Sequence, residues 1–523
     1  MPITAVTRYS RGIVWSTNQS NSHSAANSAP TIHTTHNPHP TLRFTFHVSR
    51  FTFHVSRFTL HFILLTALLT ACGESAVAPT ATGTPDPFPA LIAVGDARAA
   101  HRERTAAETA YRQAADARPE SPTPYLRLAR LYRDWNRPPE GLDALARAEE
   151  RGADPKEVAA LRAALYAAQG DWERAVAEGE RALALGDDPD TLRLVARGYL
   201  WLGRLEAARS ACQTLAERDP ADAEARQCLG FLLALGDPSA ARPYLQAADT
   251  PFSADLLAAL GEGEPAVRLA RMGQAALSHG EPALAVLALE RATVRMPDFA
   301  DAHALLGRAL EGLGRDEAAR AHLETAVRLA PDSPLARSLL GLYYLNRGDP
   351  AAARPHLEAA CDLDPQNPAF ALYLGFLYAD LGQYAAADIW LAEATRLAPE
   401  DPDVWDAVAR FYLERFPGDA RGVTAARARV RLAPDSAGAH ALLGRALLLA
   451  EDYAGAEEAL QKALELAPDL AVAHYDLGRL YLLRGQREAA RAEFIRALDL
   501  NTDPTLRGEI EGIIREQMPQ NFL

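Results

Sequence analysis

A chain of 523 residues is long enough for several ordinary domains, but only 7% of its residues are aromatic, which favours long helices packed through small residues over a β-rich core. Residues 1–71 contain five arginines and no acidic residue, so residues 72–523 hold 49 basic and 68 acidic side chains, an excess that argues against non-specific nucleic-acid binding. Four scattered cysteines are too few for a disulfide framework or a zinc site.

The first recognisable segment is an apolar run over residues 58–71 that is followed directly by Cys72. The run is shorter than a comfortable transmembrane helix, but its length fits the core of a signal peptide. The sequence Leu69-Thr70-Ala71-Cys72 resembles the lipobox of bacterial lipoproteins, in which the cysteine becomes the first mature residue and carries a lipid. That resemblance implies that Cys72 is lipidated, and the alternative is a signal core that merely ends near a cysteine.

On this interpretation, residues 1–71 are an unstructured N-terminal extension plus signal peptide, and residues 72–87 are a lipoprotein tether. The tether is rich in proline, threonine and alanine and has few side chains to bury. Such a composition is typical of a flexible spacer.

From Phe88 onward, a small residue recurs at a nearly fixed period. The spacings are 34, 34, 33, 34, 43, 34, 34, 34, 34, 35 and 34 residues. The positions are Gly95, Ala129, Ala163, Ala196, Gly230, Gly273, Gly307, Gly341, Gly375, Ala409, Gly444 and Gly478. A second small residue follows twelve places later in most units, and a proline closes many units, as at Pro331 and Pro365. Each unit is predicted to be a helix hairpin, because small residues let two helices approach closely and proline stops one helix yet fits the start of the next.

This pattern resembles the tetratricopeptide repeat, a 34-residue helix–turn–helix. The resemblance implies an all-α fold, a right-handed superhelical α-solenoid of about twelve hairpins with a C-terminal capping helix. The 43-residue spacing divides the array. Block 1 has about five units over residues 88–255, block 2 has seven units over 266–504, an irregular junction lies at 256–265, and the capping helix and tail occupy 505–523.

In tetratricopeptide arrays the first helix of each unit lines a concave groove, and the residue after the small one tends to face into it. By that resemblance the candidate groove residues of block 2 are Arg308, Leu342, Phe376, Arg410, Arg445 and Arg479. The last three arginines follow one another in successive units. They could present a ladder of guanidinium groups to the carboxylates of an extended peptide or an acidic polysaccharide.

An apolar strip is predicted beside this ladder, formed by Leu342, Leu345, Leu372 and Phe376. The alternative for the ladder is that these arginines lie on solvated helix faces. Acidic residues of the chain itself, such as Asp406 and Asp476, would then neutralise them.

No Gly-rich phosphate loop, HExxH motif, nucleophile elbow or paired CxxC appears in the sequence, so no catalytic residue, metal site or cofactor is assigned. His303, His440 and His474 occupy the same place in their units, which repeat packing explains better than metal ligation. Cys212 and Cys228 lie on neighbouring predicted helices. Buried free thiols are the favoured interpretation of this pair, and a disulfide is the alternative.

We therefore expect a non-catalytic scaffold that binds a protein or peptide, with an acidic ligand favoured by the arginines and with no nucleic-acid partner. It is expected to be exported and held at a membrane only through the lipid on Cys72, within an envelope or secretion assembly. The alternatives are a cytoplasmic adaptor, if the apolar run is not a signal, and an accessory subunit of an enzyme complex.

Overall fold

The computed structural model describes residues 86–518, so the predictions for the signal peptide, for Cys72 and for most of the tether lie outside the described residues. Residues 86–518 contain 26 α-helices and no strand. The predicted all-α fold is confirmed. Most consecutive helices pack as hairpins, in which we call the first helix the A helix and the second the B helix.

Block 1 contains five hairpins. They are α1 (Phe88–Ala100) with α2 (Arg104–Ala117), α3 (Thr123–Asp134) with α4 (Pro138–Glu150), α5 (Pro155–Ala168) with α6 (Trp172–Leu185), α7 (Pro189–Trp201) with α8 (Leu205–Arg218), and α9 (Ala223–Ala234) with α10 (Pro238–Ala248). A single helix, α11 (Pro251–Ala259), follows them.

Block 2 contains seven hairpins and a final helix. They are α12 (Pro265–Ser278) with α13 (Pro282–Arg295), α14 (Ala300–Gly312) with α15 (Asp316–Leu329), α16 (Pro334–Asn346) with α17 (Pro350–Leu363), α18 (Pro368–Asp380) with α19 (Tyr384–Leu397), α20 (Pro402–Arg415) with α21 (Ala420–Leu432), α22 (Ala437–Leu449) with α23 (Tyr453–Leu466), and α24 (Ala471–Leu483) with α25 (Arg487–Leu500). The final helix is α26 (Pro504–Gln517).

The turn residues explain where these helices begin and end. Inside the hairpins, glycine occupies the turn with a positive φ, as at Gly348 (70°) and Gly382 (74°), a conformation that glycine adopts without strain. Between hairpins, a proline such as Pro368 begins the next A helix, where its missing N–H is not needed. The side chain of Asn367 caps the same helix by accepting a hydrogen bond from the N–H of Ala369.

The periodic small residues lie where the two helices of a hairpin touch. A Cβ atom added at Gly375 would lie 2.7 Å from the side chain of Leu391, and one added at Gly341 would lie 2.6 Å from Leu357. Leu391 and Leu357 are each 1% exposed. The prediction that these small residues permit close approach of the A and B helices is therefore confirmed at both hairpins.

The junction between the blocks is partly helical, because α11 begins within the predicted range of block 1 and extends over the first four residues of the segment 256–265 that the sequence predicted to be irregular. The 43-residue spacing accommodates α11, a helix of 9 residues whose Thr250 forms a capping box with Ser253. Because one unpaired helix is added, α13 packs against α7 of block 1. Leu284 and Leu287 on the outer side of α13 are each 6% exposed, whereas Ile389, at the place of Leu287 in α19, is 68% exposed.

A disulfide joins two helices of block 1. Cys212 on α8 is bonded to Cys228 on α9, and their Cα atoms are 6.1 Å apart. The favoured interpretation of this pair as buried free thiols is therefore wrong, because the packing of α8 on α9 brings the two Cα atoms within disulfide range. A bridge that closes a loop of this size stabilises a fold by about 3 kcal/mol in the chain-entropy model. Cys361 is a buried free thiol.

Candidate functional site: the inner row of A helices

The A helices form one continuous row in block 2. Each A helix from α12 to α24 packs against the next A helix, whereas the B helices of successive hairpins make no comparable contact within residues 86–518. Helices that lie closer together form the inner side of a curved array. The A helices are therefore the inner row, and each candidate groove residue lies on a different A helix from α14 to α24.

The arginines of the proposed ladder contact carboxylates of the chain. Nε of Arg410 lies 2.5 Å from Asp406, and Nε of Arg445 donates to Asp476 over 2.9 Å. Nη1 of Arg479 lies 3.6 Å from the other oxygen of Asp476. The acids named in the alternative interpretation are thus the partners of all three arginines, whose side chains remain 47%, 31% and 31% exposed.

Asp476 is fully buried between Arg445 and Arg479. Burial raises the pKa of its carboxyl group, and the two guanidinium groups oppose that rise. The carboxylate accepts a hydrogen bond from Arg445 and attracts Arg479 over the longer distance. The corresponding places in neighbouring A helices hold buried apolar residues such as Leu442, so the position is a core position and the unusual feature is the carboxyl group that occupies it.

Asp406 is also shared between two arginines. Besides Arg410, Nε of Arg429 on α21 lies 3.8 Å from it. Nε and Nη1 of Arg429 are buried and lack a hydrogen-bond partner. Asp403 lies near Arg429 as well: burial raises the pKa of the Asp403 carboxyl group, and the charge of Arg429 opposes that rise.

Arg308 belongs to a separate network on α14. Its Nη1 donates to Glu311 over 3.0 Å, and Glu311 also accepts hydrogen bonds from Asn346 and Arg347 on and next to α16. The side chain of Arg308 is 28% exposed. This network ties two adjacent A helices together, so Arg308 has a structural role whether or not it contacts a ligand.

The predicted apolar strip is buried. The exposed fractions of Leu342, Leu345, Leu372 and Phe376 are 8%, 2%, 1% and 6%. The ring of Phe376 stacks on that of Phe411 of the next A helix, with centroids 5.9 Å apart. The strip therefore packs between A helices and is not open to a partner in this conformation, because neighbouring A helices lie too close to leave large side chains uncovered.

The repeated histidines bind the turns between hairpins. Nε2 of His303, of His440 and of His474 lies 3.1, 2.8 and 3.0 Å from the carbonyl oxygen of the proline six residues earlier. Trp405 makes the same contact with Pro399 over 2.8 Å. The side chain at this shared position thus links the A helix to the preceding inter-hairpin turn through a hydrogen bond.

A second arginine-rich region lies at the first A helices. It was not among the candidate sites predicted from the sequence. A cavity of about 470 Å³ is lined by Arg102, Arg104, Arg127, Arg130 and neighbouring side chains. Acidic residues contact its arginines here too, since Arg127 lies 2.8 Å from Asp96 and Arg130 lies 2.5 Å from Glu157.

In residues 86–518, no group of three or more His, Cys, Asp or Glu side chains could hold a metal ion. Among the helices of that same range, none combines the length and the apolar character needed to cross a membrane.

Two protein-family models match the chain, and both are described as tetratricopeptide repeat. One matches residues 344–411 and 447–507, and the other matches residues 271–334 and 408–471. Both lie within block 2 and the start of α26. No curated protein matches the chain.

Similar solved structures include three with low sequence identity. Yeast Tom70 is 16% identical, with 83% of this chain and 97% of that chain covered and a TM-score of 0.39. A tetratricopeptide repeat protein from Parabacteroides merdae is 14% identical, with 49% and 100% covered and a TM-score of 0.39. Pseudomonas aeruginosa pilF is 20% identical, with 41% and 96% covered and a TM-score of 0.33.

Proposed function

We propose that the tetratricopeptide repeats of this chain form a non-catalytic scaffold that binds a protein or peptide along the inner row of A helices. Repeats of this kind generally act by binding partners, and two family models match them here. The observation that carries the proposal is the continuous row of A helices itself, on which the partly exposed arginines Arg410, Arg445 and Arg479 lie on three successive A helices.

We further propose that the ligand is acidic and is bound by Arg410, Arg445 and Arg479. The buried carboxylate of Asp476 accepts a hydrogen bond from Arg445 and forms a longer ion pair with Arg479. Positioned guanidinium groups bind carboxylates through charge-assisted hydrogen bonds.

The test uses residues 73–523 and a peptide selected against them from a phage-displayed library. Replacing the three arginines together by glutamine should weaken binding of that peptide by about tenfold or more, because several charge-assisted hydrogen bonds are lost. Dissociation constants from calorimetry give the readout, and glutamine retains donors for Asp476.

The matched control replaces Arg320, Arg328 and Arg396, exposed on B helices, by glutamine. It changes the net charge equally and should leave binding unchanged. Equal weakening by both triple variants would assign the effect to net charge, and no weakening by either would remove the ladder from the binding site.

For the location of the chain, we propose export and anchoring through a lipid on Cys72. The Cys212–Cys228 disulfide supports this proposal, since disulfides persist in oxidising compartments and are rare in the cytoplasm. The competing hypotheses are a cytoplasmic adaptor and an accessory subunit of an enzyme complex. Labelling of Cys72 with a lipid analogue separates the cytoplasmic adaptor from the lipoprotein.

A further inference from the structure

The first and last hairpins of the array contact each other. Helix α25 packs against α2, where the backbone N–H and the hydroxyl of Thr105 donate to one oxygen of Asp499 over 2.7 and 2.6 Å. Asp499 is 4% exposed. Burial raises the pKa of its carboxyl group, and the hydrogen bonds from Thr105 oppose the rise.

A second set of contacts joins the end of α3 to the segment around α26. Nε1 of Trp135 donates to the carbonyl oxygen of Leu498 over 2.9 Å, and Nη2 of Arg507 donates to the carbonyl oxygen of Trp135 over 2.7 Å. The amide of Asn136 donates to the carbonyl oxygen of Thr502 over 3.0 Å. Helix α26, predicted to cap the array, therefore also lies against the first hairpins.

Apolar side chains from both ends share one core. Trp135 is 3% exposed, and Phe494, Ile510 and Ile514 are fully buried in the same cluster. Packing is less complete beside it, where a cavity of about 780 Å³ opens between α2 and α25, with His101, Thr109, Arg491 and Ile495 among its lining residues. The two ends therefore share an apolar interface that is incompletely packed.

Such a contact is not required for the hairpins to form. In a repeat array each unit is stabilised by its immediate neighbours, and the curvature is the sum of small rotations from one unit to the next. Contacts between residues that are 363 to 394 positions apart in sequence fix the total rotation of the array. Its release would let many hairpins each move slightly, without unfolding any of them.

We propose that α2 and α3, together with α25 and α26, form a clasp that sets the curvature of the array, and that opening of this clasp widens the inner row of A helices to admit a partner. The role of clasp opening in admitting a partner rests on the proposed function. The clasp itself rests only on the contacts between the two ends of the array.

The clasp is tested by the variant Asp499→Arg, which puts a bulky cation beside Arg104 and Arg496. Nitroxide labels on Gln113→Cys in α2 and Glu488→Cys in α25 report the distance between the two ends by double electron–electron resonance. The doubly labelled chain that retains Asp499 should give one narrow distance distribution. Asp499→Arg should add a longer and broader population, while the helical circular-dichroism signal stays unchanged.

Glu465→Arg is the matched control, because Glu465 occupies the place of Asp499 one hairpin earlier and is exposed. It should keep the narrow distribution. If Asp499→Arg lowers the helical signal, the milder pair Trp135→Phe with Asn136→Ala replaces it and should broaden the distribution in the same way. An unchanged distribution in a folded clasp variant would overturn the clasp.

The role in access is tested by closing the clasp covalently. Oxidation of a Thr105→Cys, Asp499→Cys chain should weaken binding of the library-selected peptide by about tenfold or more, with recovery on reduction. The parent chain under the same redox conditions controls for the Cys212–Cys228 bridge. Full binding by the crosslinked chain would overturn the role in access. Failure of the parent chain to bind any peptide would instead refute the proposed function, and the distance measurement would still decide the clasp.

Discussion

Gly375→Val should destabilise block 2 by about 1–3 kcal/mol, the usual cost of inserting methyl groups into a tightly packed core. A Cβ atom at this position lies 2.7 Å from the side chain of Leu391, which is 1% exposed and has little room to move. The clash forces α18 and α19 apart, and each neighbouring hairpin packs on that pair. The midpoint of urea unfolding, followed by the helical circular-dichroism signal, should fall.

Gly508→Val in α26 is the control for the effect of valine on the helix itself, since no atom lies within 4 Å of the added Cβ. Valine is a better helix former than glycine, so this variant should be neutral or slightly stabilised. An unchanged unfolding midpoint in Gly375→Val would mean that the hairpin is not packed through its small residue, and the account of the repeat would be wrong.

Cys72→Ala should abolish incorporation of a palmitate analogue when the full chain is expressed in bacteria. Residues 69–72 resemble a lipobox, and in lipobox proteins the sulfur atom of the cysteine carries the lipid. A single acyl chain binds membranes only marginally, whereas several chains anchor a protein stably. The variant should therefore also leave the membrane fraction. Gel fluorescence of the labelled protein and membrane fractionation measure the two effects.

Cys361→Ala is the corresponding control, because Cys361 is a buried free thiol within the helical array. Its labelling should equal that of the parent chain. An unlabelled parent chain in the soluble fraction would favour the cytoplasmic adaptor, and label retained in Cys72→Ala would place the lipid elsewhere.

The hairpins could be predicted from the sequence because their determinants are local. Gly375 and Leu391 are 16 residues apart and meet within one hairpin, so a period of 34 residues and the size of a side chain predict both the helices and their contact. Proline and capping residues at the turns supply the boundaries in the same way, as Asn367 and Pro368 do at the start of α18.

The site was less predictable because its geometry depends on how hairpins are placed relative to one another. Leu342 and Phe376 follow the periodic glycines as groove residues should, yet neighbouring A helices bury them. The contact of Trp135 with Leu498 depends on curvature accumulated over the whole array, which no local pattern encodes. The sequence could place Cys212 and Cys228 on adjacent helices, but only the packing of those helices decides that they bond.

Hydrogen–deuterium exchange of residues 73–523, with and without a saturating library-selected peptide, tests most directly whether the inner row of A helices binds the partner. We expect slower exchange in α20, α22 and α24, which carry Arg410, Arg445 and Arg479, and little change in the B helices α21 and α23. Protection confined to the B helices would place the binding surface on the outer side of the array and contradict the proposed function.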